Sequence, residues 1–236
     1  MSDGSKVQTK KVVLAPGAYV NINSLIKGVL PEDKRGLEPD LKLTTQTVSY
    51  LQVSAWEAER LRNMPTVVTD YAFGKLDGTY ILPPILYPDG KYYLKLGHGD
   101  HFESIVQTPE QMENWYQNGS GDPEAVQMLA AFITQQFIPD LQVISVHGGC
   151  CVTSNVKSLL FLEYSMYMVL LQTPEKKAPF IDEIVPGLVL VCGGCGYGAK
   201  SSDEIGRIGA KLCTSGDWTI PEIPKSDMQI KWTKVA

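Results

Sequence analysis

The sequence predicts an α+β fold, and three observations carry that prediction. Runs rich in β-branched and aromatic residues fill the middle of the chain and are separated by Asp-Gly turns. Capped helices follow them, and near the C-terminus an aliphatic strand passes through glycines into a further helix. The 236 residues suit one large domain or two small ones, and 44% hydrophobic content suffices for a real core.

Val12 to Leu14 reads as a short strand that ends at Gly17, and it needs sheet neighbours. Ile26 to Leu41, with Pro31 and Pro39, reads as a connector, with a domain boundary near residue 40. Leu43 to Val53 alternates as a strand, and Ser54 with Glu57 caps the helix of "AWEAERLRN". The runs "TVVTDYAF", "TYILPPILY" and "KYYLKLG" are divided at Asp77-Gly78 and Pro88-Asp-Gly90, which favours antiparallel hairpins. Thr108-Pro109 and Asp122-Pro123 each open a helix, since proline at the first helical position gives up an N–H that has no intrahelical acceptor. Leu141 to Val146 returns to strand, and "HGGCCVTSN" reads as a loop. Val189 to Val191 is a buried strand, and Ser201 with Glu204 forms a capping box before a helix carrying Ile205, Ile208 and Leu212.

Net charge is -5 and like charges form nothing longer than short pairs such as Lys176-Lys177, which argues against nucleic acid or an anionic membrane surface as a partner. Five cysteines is an odd number, and no secretory signal precedes them, so the expected setting is the cytoplasm or another reducing compartment. The terminal "KVA" does not match the peroxisomal S-K-L signal.

The turn after Val191 admits three chemistries. Gly194-Cys-Gly196-Tyr-Gly-Ala199 fits G-x-G-x-x-G/A, but a dinucleotide site needs a full βαβ unit, and too little chain follows Ala210 to supply one. A phosphate loop fails because Ala199 separates Gly198 from Lys200. Cys192 and Cys195 form a C-x-x-C pair suited to dithiol or zinc chemistry, although the vicinal Cys150-Cys151 would be poor additional ligands for one tetrahedral ion.

Taken together and in order, "VVLAPGAY", "TTQTV" followed by S-x-x-E-A-x-R-L, "YYLKLGH", "CVTSN" and "GGCGYGAKSSDEIGR" resemble the flavin-dependent amine oxidoreductases of the sarcosine oxidase and pipecolate oxidase type. The resemblance spans nearly the whole chain. It implies an antiparallel substrate domain over residues 41–147, set within a Rossmann-type FAD-binding domain represented by 1–40 and 148–236. It also implies oxidation of a small secondary amine or N-alkyl amino acid with O2 as acceptor. Lys95 matches the lysine beside the flavin that assists oxygen reduction, whereas spacing alone makes it a strand lysine reaching solvent. Lys200 matches the lysine on the substrate carboxylate, and Cys151 the cysteine that some members bond to the flavin; Cys150 is its neighbour and rival. Gly194, Gly196 and Gly198 match the late turn against the flavin, and Gly17 the glycine ending a strand close to it. A family histidine follows the lysine, but His98 and His101 both miss its spacing.

Two departures stand out. Nothing before Lys11 supplies the strand, G-x-G-x-x-G and helix that hold the ADP half of FAD, so the Rossmann-type domain is expected to be partial, lacking its first βαβ unit. A non-catalytic fragment or isoform that binds no FAD is therefore one competing class, and a thiol or metal protein built on Cys192 and Cys195 is another. Residues 156–172, "VKSLLFLEYSMYMVLLQ", also interrupt the family order; they are too short and too charged for a membrane span, which leaves an added surface helix or a retained intron. Their removal restores "CVTSNTPEKKAPFIDEI" in register, and valine and glutamine codons at the two ends suit a splice donor and acceptor. A retained intron predicts a major cDNA without these codons; a single abundant transcript that always carries them would overturn that reading.

Overall fold

The computed structural model describes residues 4–22, 25–99, 102–156, 178–196 and 198–235. In chain order the elements are β1 Val12–Leu14, α1 Tyr19–Ile22, β2 Leu37–Pro39, β3 Leu41–Val53, α2 Ala55–Arg60, β4 Val67–Thr69, β5 Thr79–Leu86, β6 Tyr92–His98, α3 Pro109–Asn118 and α4 Pro123–Phe132. They continue with β7 Val143–Val156, β8 Phe180–Val185, β9 Leu188–Cys192, α5 Gly198–Ser215, α6 Lys225–Met228 and β10 Trp232–Lys234. The chain divides into two compact units, one of Met1–Leu43 with Thr153–Ala236 and one of Thr44–Val152.

The first unit holds a three-stranded sheet in the order β1-β9-β8. Its β1 runs parallel to β9, with Val12 opposite Leu188 and Leu14 opposite Leu190, whereas β8 is antiparallel to β9. The amphipathic α5 lays Ile208, Leu212 and Cys213 on this sheet, where they pack with Ile181 and Val189. Gly209 permits the close approach, because a Cβ there would stand 3.1 Å from Val191 Cγ2. Segment 26–41 is more than a connector: β2 pairs with β10, Pro39 opposite Trp232, and Lys34 Nζ lies 5.1 Å from the Trp232 ring centroid. A short run near the C-terminus thus supplies β2 with the partner that local sequence does not reveal.

The second unit is built on a five-stranded sheet in the order β4-β5-β6-β3-β7, with β4/β5, β5/β6 and β3/β6 antiparallel. The β5/β6 hairpin closes at Pro88-Asp-Gly90, where Tyr87 N–H donates to Lys91 O at 2.8 Å. A register shift between Leu82 and Ile85 absorbs Pro83 and Pro84, which cannot donate to the ladder. Leu51, Ile81, Leu94 and Leu96 cover one face of the sheet and pack on Leu129 and Phe132 of α4. The expected caps form. Thr108 completes a reciprocal capping box with Gln111, and Asp122 accepts from Ala125 N–H at 2.9 Å.

Several boundaries differ from the sequence reading. "HGGCCVTSN" is not a loop, because β7 runs on through it to Val156. Its glycines mark close approaches to the strand: a Cβ on Gly149 would meet the Tyr50 ring at 2.7 Å, and one on Gly148 would meet Ser120 O at 1.9 Å. "TVVTDYAF" contributes only β4, and the chain then turns through an isolated Phe73–Leu76 bridge. The final long helix starts at Gly198 and not at Ser201; Ala199 and Lys200 are good helix formers, and Glu204 pairs with Arg207. The interruption at 156–172 lies, apart from Val156, outside the described residues. Among the described residues no helix is long and apolar enough to cross a membrane.

Glu57 ties α2 to the approach of β7. It is fully buried, accepts from Arg60 Nε at 2.8 Å, from the second Arg60 guanidinium nitrogen at 2.6 Å and from Gln142 N–H at 3.2 Å. These Arg60 hydrogen bonds hold its carboxyl below the ordinary range against the opposing effect of burial, with the Gln142 N–H adding to the lowering. A depressed folded pKa gives stability that is present above the unfolded carboxyl pKa and lost as pH falls through the folded one. Glu57→Gln is therefore expected to cost about 2 kcal/mol at neutral pH, discounted from a fully buried pair because Arg60 is partly exposed. Urea unfolding should show that penalty shrinking as pH drops below about 4; an equal penalty at both ends of the range would contradict the assignment.

Candidate functional site

The second unit's sheet has two unlike faces, and strand alternation sorts them. On β6, Leu94 and Leu96 enter the core, so Tyr93, Lys95 and Gly97 point to the other side. Cross-strand register places Tyr50 of β3 opposite Lys95, and Tyr80 of β5 opposite Gly97. Tyr80 lies where any other residue's side chain would stand, since a Cβ on Gly97 would come within 2.2 Å of its ring. Lys95 Nζ sits 5.8 Å from the Tyr50 ring centroid, and among the described residues it makes no ion pair with a carboxylate. His98 has the opposite parity to Lys95, is buried, and stacks edge-on against Phe102 at 5.3 Å; His101 lies outside the described residues.

Strand alternation also separates the vicinal cysteines. Cys150 Sγ donates to Trp115 O of α3 at 3.5 Å, while the Cys151 carbonyl accepts from Trp115 Nε1 at 2.9 Å. The Cys151 thiol belongs to the side carrying Lys95, Tyr50 and Tyr80, all of which couple to it electrostatically. Cys151 reaches solvent, yet the packed strands and rings around it desolvate the sulfur. That burial pushes the thiol pKa up, and the Lys95 charge pulls it the other way. Tyr80 is pushed up to about 12, first by burial and then by Cys151 and the neighbouring phenols, so it stays a neutral hydrogen-bonding group.

The first unit holds the glycine turn. Gly196 has φ +73° and Gly17 φ +59°, and a Cβ added at Gly17, Gly196 or Gly198 would meet no atom within 4 Å. Main chain at these points is open to an incoming group, and a Cβ on Gly194 would make only ordinary contact with Gly198 at 3.5 Å. Gly198 begins the 18-residue α5, whose first turn carries no acidic residue and includes the exposed Lys200. A helix start of this kind, with the positive end of the helix dipole and a lysine, suits an electron-rich or anionic ligand edge. Tyr197 lies outside the described residues.

Cys192 and Cys195 are poorly placed for thiolate chemistry. Burial pushes Cys192 up to about 12, and the Cys195 thiol donates to Gly193 O at 3.2 Å. Among the described residues no group of three or more His, Cys, Asp and Glu could hold a metal ion.

The first unit thus offers bare main chain at a helix start, and the second unit, taken by itself, holds a thiol beside an ammonium and neutral phenols. The sequence reading missed Tyr50, Tyr80, Tyr87 and Tyr93. Parity with Lys95 along "KYYLKLG" was a legible signal for Tyr93; the others needed the cross-strand register. The Lys95–Cys151 coupling is testable without a cofactor. Lys95→Met should raise the Cys151 pKa further and slow its alkylation by iodoacetamide near pH 8 by roughly threefold, the scale of a surface charge pair. Lys95→Arg should keep the parent rate, and mass spectrometry of the Cys151 peptide would expose a failure of either expectation.

The fold has relatives among solved structures. Fructosyl peptide oxidase from E. terrenum aligns with a TM-score of 0.57 at 17% identity, over 92% of this chain and 44% of that one. Iminodiacetate oxidase from Chelativorans sp. BNC1 aligns with a TM-score of 0.54 at 14% identity, over 97% of this chain and 48% of that one. L-proline dehydrogenase from P. horikoshii aligns with a TM-score of 0.51 at 17% identity, over 91% and 45%. The chain thus spans less than half the length of each of these three, and identities this low speak for the fold alone. No curated protein matches it. The family model described as FAD dependent oxidoreductase (DAO) matches residues 1–212, and the chain belongs to that family.

Proposed function

We propose that this chain serves the oxidation of a secondary amine or N-alkyl amino acid of the sarcosine or pipecolate kind, with FAD as cofactor and O2 as acceptor. The observation that carries the reading is the shared placement of Lys95 and Cys151 on the face of the second unit's sheet that is not packed on α4. Residues 41–147 are the substrate domain, and 1–40 with 148–236 are the flavin-binding part.

When bound, FAD would accept hydride from the carbon next to nitrogen and pass the two electrons to O2, giving peroxide, while the imine left behind hydrolyses in water. The protein's own groups have separate tasks. Lys95 supplies a fixed positive charge where negative charge develops on oxygen, and with no carboxylate salt-bridged to it among the described residues, that charge is not neutralised locally. Cys151 is the residue for a covalent tether to the flavin, and its solvent-reaching thiol suits that task better than Cys150, which is turned toward α3. Lys200, in the first turn of α5, pairs with the substrate carboxylate. Gly17, Gly194, Gly196 and Gly198 keep main chain clear for the isoalloxazine system.

Purification of the chain with added FAD tests the reading. A yellow protein that forms peroxide with sarcosine or pipecolate is expected, with colour retained through denaturation if Cys151 is the tether and released in Cys151→Ser. Lys95→Met should slow reoxidation of the reduced protein by O2 by about a hundredfold, the scale for losing one preorganised charge stabiliser. A chain that takes up no flavin, or a Lys95→Met variant that reoxidises at the parent rate, would sink the assignment.

A further inference from the structure

The hairpin end of the second unit carries a feature that amine oxidation does not use. Tyr50, Tyr87, Tyr93, Asp89 and His147 line an open cleft of about 250 Å³. The three phenol rings are mutually near perpendicular: Tyr50 and Tyr87 at 80° with centroids 5.7 Å apart, Tyr50 and Tyr93 at 81° and 6.3 Å, Tyr87 and Tyr93 at 79° and 5.2 Å. His147 closes a further side against Tyr93, at 77° and 6.0 Å. The rings meet edge to face, so the cleft has aromatic walls, and a ring face turned toward it would present the negative part of the aromatic quadrupole.

Among the described residues one carboxylate, Asp89, lines this corner. Asp89 accepts from Tyr93 Oη at 2.8 Å and from Lys91 N–H at 3.1 Å, so the hairpin turn itself fixes its orientation. The Tyr93 hydrogen bond holds the Asp89 carboxyl below its ordinary range, and the same bond raises Tyr93, so the carboxylate is charged and the phenol neutral at physiological pH. Ring faces with one anion and few acceptors favour a cation that needs no hydrogen bonds. A metal ion or primary ammonium would lose its water without replacement, whereas a nitrogen covered by alkyl groups is weakly hydrated and makes its contacts through those groups. Lys95 already lies against the Tyr50 ring at 5.8 Å, which leaves Asp89 to offset a positive neighbour when a second cation enters.

We propose that this corner of Tyr50, Tyr87, Tyr93 and His147, with Asp89 as counter-charge, binds a fully alkylated ammonium ion. Such an ion has no nitrogen lone pair to stabilise the cation that hydride loss would leave, so it is a ligand of the chain and not a substrate. The proposal needs no flavin, although its cleft shares Tyr50 with the face that carries Lys95 and Cys151.

Choline and its neutral isostere 3,3-dimethylbutan-1-ol are the probes, titrated into the full chain at constant ionic strength and followed by calorimetry. Saturable choline binding is expected, with the neutral alcohol weaker by at least about tenfold, the scale of one desolvated cation–π contact. Tyr87→Phe keeps the π wall and should bind choline like the parent; Tyr87→Leu keeps an apolar wall without it and should lose about tenfold, and Asp89→Asn a similar factor. No choline binding, equal binding of the alcohol, or equal affinity in Tyr87→Leu and Tyr87→Phe would overturn the proposal, whatever the outcome of the flavin experiments.

Discussion

Burial of one sheet face against α4 is the constraint on which residues 44–152 depend. Leu51, Leu94, Leu96 and Ile81 supply the strand side of that contact, and Leu129 and Phe132 the helix side. Fully burying each large aliphatic or aromatic side chain is worth about 1.5–3 kcal/mol, so a one-residue slip of β6 would turn several of them to solvent at once. With register locked in this way, the opposite parity is locked too, and Tyr93, Lys95 and Gly97 share the other face with Tyr50 and Tyr80. The chemistry-bearing side is the by-product of a packing decision made on the other side.

Glycine completes that arrangement from within the strands. Residues without a Cβ at 97 and 149 let the rings of Tyr80 and Tyr50 lie against the sheet. Burial raises the Cys151 thiol pKa, and the charge of Lys95 pulls it the other way. A thiol, an ammonium and neutral aromatic hydroxyls thus share one surface without mutual neutralisation.

The first unit solves a different problem. Its β1 is exposed along much of its length and finds order by pairing in parallel with β9, the strand that leads into the glycine turn. Because β9 also pairs with β8 and packs with α5, the turn residues 193–196 follow a buried strand on the way to a long helix. Positive φ at Gly193, Cys195 and Gly196 shows how tightly the chain reverses there.

Local sequence determined much of this protein. Helix starts at Ser54, Thr108 and Asp122, the turn at Pro88-Asp-Gly90, the strand at 188–192 and the order of family motifs all depend on residues a few positions apart, where caps, turn preferences and side-chain alternation act directly. Features that depend on distant partners were settled only by the tertiary structure. Glycines 148 and 149 signal a turn in isolation, but a carbonyl and an aromatic ring from elsewhere occupy their empty sides and keep β7 extended. The same is true of β2, which waits for β10, and of Cys150 and Cys151, adjacent in sequence yet sent to opposite faces. A chain specifies its own short-range geometry, whereas the neighbour across a ladder is chosen by which pairing buries the most apolar surface, and no local pattern contains that comparison.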